Sequence, residues 1–541
     1  MKDNEIIQKK KPSRRSNKRS VNRKDSREVR RSMVDKSSSL DSTNRDNDPN
    51  WYFLNSDIAR QVSSVSFNQF LGVTDDIKCS YLDSAGKEQY STMALNVPSI
   101  MVLQTNPSPG IADEATEGIN LAMLKLYSTL SAQNAKTTSY APQDLAMLLL
   151  QLGEIISVME HVRRAFGVAF TYSHRNRTLP RKLLHAMGFD PDDFLQSMAI
   201  HRIEFNTWIT SLNRIPFLSN IGYFFKCADM YQKVYTDSTS DMAQIILMRP
   251  YSTWVLNETY NSSGSGLATK ALPASFGTSS TTRWTDWRNI IEQMIDALFT
   301  SATFNYIYSD VLNLANKANI KLFYLDYLME GYSVVPEYNE NFLMQVHNCT
   351  LTGEPYTVNG PSNQKLNDVS SSADRNCIIY SPKFKIPMSS IKYLEQAVVD
   401  FPTPDPKTED IIEATRYIAR MGLQAVDTDT AKTKYRYAMS LPDHYVVQIT
   451  LYSNSTPINA STLCCASGDT AKARTWFRQF TSKLSVFDWA PIVYGVNSED
   501  TADTELEIYG DLNYFVILDN QWFLYVNDLT VLSLFELRNG Q

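Results

Sequence analysis

A run of basic side chains near the N-terminus gives the strongest chemical signal in the sequence. Residues 9–31 contain twelve Lys and Arg residues against two acids, Asp25 and Glu28, and no aromatic side chain that could stack on a base. Cations at this density neutralise nucleic-acid phosphates. We therefore predict RNA or DNA binding that depends little on nucleotide sequence and weakens as the salt concentration rises. A nuclear import signal or a solvated tail remain alternatives. The candidate RNA-binding residues are Lys9, Lys10, Lys11, Arg14, Arg15, Lys18, Arg19, Arg23, Lys24, Arg27, Arg30 and Arg31.

The same run cannot build a hydrophobic core. Its only β-branched residues are Val21 and Val29. Ordering such a segment costs roughly 1–2 kcal/mol of backbone entropy per residue, which its few apolar side chains cannot offset. The composition changes at Trp51, from which aromatic and aliphatic residues recur to the C-terminus. We therefore predict a disordered basic arm at residues 1–48, followed by a folded body.

Charge is divided unevenly between these two parts. The chain has 52 basic and 58 acidic residues, a net charge of -6. Residues 1–50 hold 15 basic and 8 acidic residues, net +7, so the other 491 residues hold 37 and 50, net -13. The arm thus attracts phosphates while the body on balance repels them, as expected of a container or a presenting scaffold.

No other pattern has the spacing of a catalytic or metal site. The sequence lacks GxxxxGK[ST], GxGxxG, HExxH and GxSxG, and its six His residues show no paired ligand spacing. Its six Cys residues form no CxxC, and the one close pair is the adjacent Cys464 and Cys465, so we expect reduced thiols. We predict a protein that is not an enzyme and needs neither a metal nor another cofactor.

A second, smaller basic zone lies inside the body. It comprises Arg163, Arg164, residues 174–177, Arg181 and Lys182. It could face nucleic acid, but ion pairs and helix caps in an acidic body are the favoured interpretation. We expect His161 at a helix end, where a cation interacts favourably with the helix dipole, and Asp192 and Asp193 as first-turn charges rather than metal ligands.

Apolar periodicity predicts a body built mainly from helices. No apolar run reaches 18 uninterrupted residues; the longest candidate, residues 145–159, is broken by Gln151 and Glu154, so we expect no transmembrane segment. In the first half of the chain, the predicted helices are a short one capped by Asn55, one after residue 112 with Ile119, Met123, Leu126, Tyr127 and Leu130 inward, one from Pro142, one at 179–188, and one capped by Asp190 and limited by Pro216. In the second half, they are one at 284–299 capped by Thr285, one at 306–318, and one at 408–421 with Ile411, Ile412, Thr415, Ile418 and Ala419 inward.

Strands and irregular segments complete the prediction. Residues 93–103 and 243–248 have strand character, and the C-terminal region 513–537 begins with the strand-like segments YFVILDN and QWFLYVN before turning helical. Residues 257–282 are rich in Ser, Thr and Gly and predict a long surface loop. Residues 350–400 and 422–505 are less regular. The predicted fold class is mainly α with some β (α+β).

Short segments along the chain resemble the capsid proteins of picobirnaviruses in their order and spacing. They are DPNWY at 48–52, SVSFNQFLG at 64–72, VPSIM at 97–101, GINLA at 118–122, YAPQDL at 140–145, NRTLP at 176–180, YIYSDVL at 306–312, LMQVHN at 343–348 and EATR at 413–416.

The resemblance implies a coat protein of a double-stranded RNA virus that forms homodimers and closes into an icosahedral shell. It implies a helical shell domain, a smaller projecting domain and a basic N-terminal arm that faces the RNA and is removed by self-cleavage in some members; no residue can be assigned to that cleavage. It also implies location in the virion, with assembly in the host cytoplasm. We expect the shell domain at 49–349, 401–421 and 506–541, and the projecting domain at 350–400 and 422–505.

Composition alone leaves another function open. A nonviral helical scaffold or RNA-binding protein could carry the same basic tail as a nuclear import signal. Such a protein would form a small defined oligomer, and its nuclear accumulation would depend on Lys9, Lys10, Lys11, Arg14 and Arg15.

Overall fold

The computed structural model divides the chain into two units, residues 1–69 and 70–541. It describes residues 55–66, 75–95, 97–110, 112, 114–134, 139–171, 179–240, 242–258, 266–273, 283–352, 355–357, 377–380, 382–384, 397–419, 424–425, 435–436, 443–452, 457–460, 464–466, 479–497 and 505–537. In the first unit the described element is helix α1, Ser56–Ser63. The Asn55 side chain caps it by accepting from the Asp57 backbone N–H at 2.9 Å, as predicted.

The second unit combines helices with several small sheets, so the predicted class, mainly α with some β, is confirmed. Its helices are α2 Gly118–Gln133, α3 Pro142–Thr171, α4 Leu179–Ala186, α5 Pro191–Gln196, α6 Met198–Leu212, α7 Gly222–Gln232, α8 Trp284–Thr300, α9 Ala302–Ala318, α10 Glu340–His347, α11 Thr408–Ala414 and α12 Asn520–Phe535. Its strands are β1 Asp75–Leu82, β2 Glu88–Leu95, β3 Ile100–Pro107, β4 Phe217–Leu218, β5 Tyr235–Thr236, β6 Ile245–Pro250, β7 Ser252–Asn257, β8 Gly266–Ala271, β9 Leu322–Phe323, β10 Pro355–Thr357, β11 Lys383–Phe384, β12 Ala397–Phe401, β13 Gln424–Ala425, β14 Tyr435–Arg436, β15 His444–Tyr452, β16 Pro457–Ala460, β17 Cys464–Ala466, β18 Val493–Asn497, β19 Glu505–Tyr509 and β20 Tyr514–Leu518.

Helix α3 is the axis of the hydrophobic core. It is thirty residues long, apolar on all sides, and packs against α2, α4, α7, α8 and strand β7. A helix that is hydrophobic all round must be enclosed by protein or by lipid. By length and composition α3 is the one helix in the described part of the chain that could cross a membrane, yet its apolar window is entirely buried inside the protein. It therefore has the environment of a core helix.

A five-stranded sheet lies beside α3 in the order β16-β15-β3-β6-β5. Strand β3 pairs in parallel with β6 and antiparallel with β15, and all residues of these three strands are buried. Strands covered on both faces lack an alternating pattern, and β3 and β6 each begin with four consecutive apolar residues. Because β15 is central to this sheet, part of the 422–505 segment belongs with the region that begins at residue 100.

Most of the predicted helices are present. Helices α2, α3, α4 and α9 occupy the expected segments, and the inward face of α2 contains Ile119, Met123, Leu126 and Leu130. The prediction of a single helix between Asp190 and Pro216 is wrong. Two helices, α5 and α6, replace it; they are divided at Ser197, whose φ of -112° and ψ of 19° leave the helical region.

Two predicted helix ends are also wrong. Helix α8 is capped at Arg283, not Thr285, because the Asp286 carboxylate accepts from the Arg283 backbone N–H at 3.1 Å. Helix α11 ends at Ala414, seven residues early, because the carbonyl of Ile412 accepts side-chain hydrogen bonds from Thr415 and Arg416 in place of the helical one. Ile412 is consequently exposed rather than inward-facing.

Two other segments differ from expectation. The region 257–282 is not loop throughout, since β8 pairs antiparallel with β7 from Ser252 opposite Ala271 to Asn257 opposite Gly266. The strand-like segment 521–527 lies in helix α12. Its aromatic residues favour strands, but the Asp519 carboxylate caps a helix by accepting from the Trp522 backbone N–H at 2.8 Å.

The contact between α3 and α7 depends on Gly153. A Cβ at this position would lie 2.8 Å from Cζ of the fully buried Tyr223 ring, which has no space to move. We expect Gly153→Ala to lower the free energy of unfolding by about 1–3 kcal/mol through overpacking, measured from urea denaturation of the unassembled protein. Ser128→Ala, at an exposed position of α2, should change it by less than about 0.5 kcal/mol. A Gly153→Ala protein as stable as this control would contradict the packing argument.

Candidate functional site

The predicted RNA-binding residues lie outside the part of the chain that the structure describes. All twelve, from Lys9 to Arg31, belong to residues 1–54, and their role therefore stays a prediction. The described part of the body contains most of the second basic zone, several buried titratable groups and exposed apolar surfaces.

Two arginines of the second basic zone, Arg163 and Arg164, lie largely inside the body. Arg164 is fully buried and donates to the carbonyls of Met248 and Lys233 at 2.6 and 2.8 Å. Desolvation lowers the pKa of its guanidinium to about 10. Arg163 lies 3.1 Å from the carboxylate of Glu160. These cations hold segments of the body together, which agrees with the favoured interpretation of the zone as structural.

Arg181, another member of the zone, also forms an ion pair, but on the surface. Arg181 forms an exposed ion pair with Asp192, in the first turn of α5 as predicted, while the neighbouring Asp193 accepts from the Trp284 backbone N–H at 2.8 Å. Residues 174–177 lie outside the described residues. The prediction for His161 is wrong: it lies in the middle of α3, fully buried, where desolvation and Arg164 hold its pKa well below the ordinary value. It is a neutral ring, not a dipole-stabilised cation.

Among the described residues, no group of three His, Cys, Asp or Glu side chains is placed to hold a metal ion. Cys227 and Cys349 are buried free thiols whose pKa values are raised by desolvation. A thiol held in its protonated form is a poor nucleophile. These two groups therefore have the environment of structural cysteines.

An exposed apolar surface is formed by β20 and α12, which we call the C-terminal edge. Strand β20 pairs with β12 in a two-stranded sheet, so its other side is an open edge within the described chain. Four consecutive large side chains of β20 are 42–57% exposed, on both faces of the strand: Tyr514, Phe515, Val516 and Ile517. An exposed apolar edge strand is a template for pairing with another chain.

Helix α12 continues this apolar surface. Phe523, Val531 and Phe535 point inward and are buried, whereas Trp522, Tyr525 and Leu529 form a stripe on the opposite side and are 39–65% exposed. The helix is apolar on nearly all sides. Such helices are normally enclosed, so the outward stripe indicates that a further surface covers it.

The inner side of the C-terminal edge is firmly attached to the body. Helix α12 packs against α2 and α7, and the Phe535 ring lies 4.7 Å from that of Tyr223. The amide oxygen of Asn527 accepts from the buried Arg416 guanidinium at 3.2 Å. These contacts position the outward stripe rigidly, which reduces the entropy lost when another surface covers it.

Asp400 of β12 anchors the start of β20. Its carboxylate accepts from the backbone N–H of Asn513 at 2.7 Å, and its own backbone N–H donates to the side chain of Asn348 at 2.8 Å. Desolvation raises the pKa of this carboxyl, but hydrogen bonds from His347 and Asn513 outweigh it, and the net pKa is lowered. The carboxylate is therefore ionised in the folded protein.

Comparison with known proteins identifies the family of this chain. A family model for the picobirnavirus capsid protein matches residues 51–443. The chain belongs to the picobirnavirus capsid protein family. It is 22% identical over 522 residues to the capsid protein precursor of Human picobirnavirus (strain Human/Thailand/Hy005102/-), covering 91% of each chain.

A solved structure supports the family at the level of the fold. The X-ray crystallographic structure of the picobirnavirus capsid matches this capsid protein with a TM-score of 0.73 at 18% identity, covering 90% of this chain and 98% of that chain. The predicted resemblance is thereby confirmed. The match extends well beyond the short segments that suggested the family from sequence.

Sequence reasoning missed the C-terminal edge as a candidate site. The signal was present as a run of apolar residues, YFVIL at 514–518, followed by an aromatic-rich segment with a capping Asp519. Whether such a run is buried or exposed cannot be read from its composition. The sheet partner β12, which is more than a hundred residues earlier, decides which side of β20 stays open.

Arg164 allows a test of the structural role of the second basic zone. Arg164→Met should lower the free energy of unfolding by about 2–4 kcal/mol, because it leaves two buried carbonyls without donors. Arg181→Met removes only an exposed ion pair and should cost at most about 1 kcal/mol. Urea denaturation measures both. If Arg164→Met instead left stability unchanged and reduced bound nucleic acid, the zone would be an RNA-facing surface.

Proposed function

We propose that this protein is a virion coat subunit that self-assembles, through homodimers, into a closed icosahedral shell around a double-stranded RNA genome. The observation that carries this proposal is the C-terminal edge, where a strand edge that no described strand pairs with and an apolar helix stripe form one exposed surface. Membership of a capsid protein family supports it. The family indicates a structural protein rather than an enzyme.

A second copy of the chain is the partner that this surface fits best. An open strand edge bonds most readily to another extended strand, and two copies of β20 can pair antiparallel about a twofold axis, which makes the contact isologous and self-limiting. The stripe formed by Trp522, Tyr525 and Leu529 follows β20 directly in the chain and would be covered in the same contact. Aromatic residues of this kind dominate the cores of stable interfaces.

The basic arm at residues 1–48 supplies the contact with RNA in this proposal. Its net charge is positive while the body carries a net charge of -13, so phosphates are attracted to the arm and not to the rest of the subunit. Arms gathered inside a closed shell concentrate RNA without reading its sequence. The site of action is the virion, after assembly in the host cytoplasm.

The division of the body remains part of the proposal, with one adjustment. We assign the shell domain to 49–349, 401–421 and 506–541, and the projecting domain to 350–400 and 422–505 except β15 and β16. Strand β15 is hydrogen-bonded to β3 and to β16 in the five-stranded sheet, which supports grouping both strands with the shell domain. Self-cleavage of the arm stays a prediction without assigned residues; the human picobirnavirus relative is named as a precursor.

The C-terminal edge can be tested by placing a charge on it. Leu529→Lys should abolish dimers and particles while the protein stays folded, because a desolvated ammonium at the centre of an apolar contact is costly and an exposed one is not. Sedimentation velocity and electron microscopy measure assembly, and circular dichroism checks the fold. Ser84→Lys, in the exposed turn between β1 and β2, is the control and should assemble. Normal particles from Leu529→Lys would show that this edge is not an assembly surface.

Deleting the arm tests the contact with RNA separately. A chain lacking residues 1–48 should still form particles, but their ratio of absorbance at 260 nm to that at 280 nm should fall towards the value for pure protein. Full-length particles should lose RNA as salt rises. A truncated protein that stays monomeric at every salt and protein concentration would contradict the division into arm and shell. A small oligomer free of nucleic acid, from the full-length chain, would favour the nonviral scaffold.

A further inference from the structure

A segment without regular secondary structure is fastened along helix α6. It covers residues 324–330, which follow β9 directly, and we call it the strap. The side-chain amide of Asn206 donates to the carbonyl of Leu328 at 3.1 Å and accepts from its backbone N–H at 2.8 Å. Asn213 makes the same pair of hydrogen bonds with Leu325, at 3.0 and 2.8 Å. Each amide thus pairs with the backbone of the strap as a neighbouring strand would.

The spacing of the two asparagines matches that of the two leucines. Seven residues of helix rise about 10 Å, and three residues of extended chain span about 10 Å. Leu325 and Leu328 are buried, so the inner side of the strap packs on the body. At the end of the strap, the Glu330 carboxylate lies 4.0 Å from the guanidinium of Arg202 on α6. The strap therefore runs in the opposite direction to α6 and is attached to it at three levels.

The outer side of the helix and the strap is apolar. Ile200 and Ile203 of α6 are 60% and 66% exposed, and Tyr327 and Met329 of the strap are 53% and 78% exposed. We call these four residues the strap face. Ile203 and Thr210 lie on the same side of α6, and the Thr210 hydroxyl donates to that of Tyr327 at 3.4 Å, which brings strap and helix side chains together. Exposed apolar clusters of this kind are typical of interaction sites.

The charges of these two elements argue against a phosphate-bearing partner. Helix α6 and the strap together hold three acids, Glu204, Asp326 and Glu330, against one basic residue, Arg202. That arginine already faces Glu330. Nucleic acid and anionic membranes both bind through Lys and Arg side chains, which this surface does not offer. The strap face therefore fits the apolar surface of a protein.

A second copy of the chain is the protein that meets the requirement of a closed shell. The proposed pairing of two β20 strands about a twofold axis is isologous, so it stops at two copies. A shell built from such dimers needs at least one further contact, on a different surface of each subunit. The strap face provides one, because α6 and the strap are separate elements from β20 and α12 of the C-terminal edge.

We propose that the strap face is the contact between dimers, where a second copy of the chain from a neighbouring dimer covers it. This inference rests on the proposed function and assigns the contact that the C-terminal edge cannot make. Ile203 and Met329 form the apolar centre of the contact, and the pair of Arg202 and Glu330 lies at its polar rim. The amides of Asn206 fix the strap before the contact forms, which reduces the entropy lost on association.

Ile203→Lys tests this contact in the full-length protein. The ammonium is hydrated in the free dimer, where Ile203 is exposed, but it would lose that water between two dimers. We expect dimers to persist in sedimentation velocity, while the yield of particles in electron microscopy falls about 10-fold or more. Met329→Lys changes the other element and should give the same result. Ser84→Lys, in the exposed turn between β1 and β2, should assemble normally.

Photo-crosslinking identifies the partner directly. The side chain of Tyr327 is replaced by that of p-benzoylphenylalanine, and the protein is irradiated both as particles and as dimers too dilute to assemble. We expect covalent pairs of the chain from particles and none from dimers. Crosslinks to nucleic acid, or pairs that form equally well in isolated dimers, would overturn the proposal.

The two levels of the argument fail in different ways. Normal particles from both Ile203→Lys and Met329→Lys would overturn the contact between dimers and leave the proposed function intact. Folded monomers from Ile203→Lys, as judged by circular dichroism, would place the strap face inside the dimer and also overturn it. Particles from Leu529→Lys, together with an arrest of Ile203→Lys at small oligomers, would refute the role of the C-terminal edge instead.

Discussion

The pairing of β3 with both β6 and β15 is the constraint on which the rest of this structure depends. Every backbone N–H and C=O of a strand buried on both faces must find a partner, and β3 finds its partners more than a hundred residues away on one side and more than three hundred on the other. The chain must therefore return twice to β3, once to each of its edges. Helix α3, whose apolar window is entirely buried, gives the apolar surface on which these strands pack.

The interior of this arrangement carries polar groups that determine how the elements fit. Gln104 of β3 and Gln448 of β15 are hydrogen-bonded at 2.6 Å, and Arg164 of α3 reaches the carbonyl of Met248 in β6. Buried polar groups are costly unless their partners are placed correctly. They disfavour a shifted strand register and so favour one arrangement of sheet and helix. The rigid core then holds the C-terminal edge in place.

The helical part of the fold could be predicted well because its signals are local. The apolar spacing of α2, the Pro at the start of α3 and the Asn55 cap each act within a few residues. Predictions failed where a distant or side-chain contact decided the outcome. The carbonyl of Ile412 is taken by Arg416 and ends α11, and the aromatic segment 521–527 becomes helical because α12 has a capping Asp519 and an inner face to bury.

The sequence by itself determined the charge separation between arm and body, the mainly helical class and, through short ordered segments, the family. These properties depend on composition and local spacing, which no folding step changes. Only the tertiary structure decided which apolar runs are covered and which stay exposed. Residues 100–103 and 514–518 are both apolar runs, yet among the described strands β3 has two neighbours and β20 has one. The same applies to His347, whose ring nitrogens lie against the carbonyls of Ala490 and Asp511, because contacts between distant segments exist only once the chain has folded.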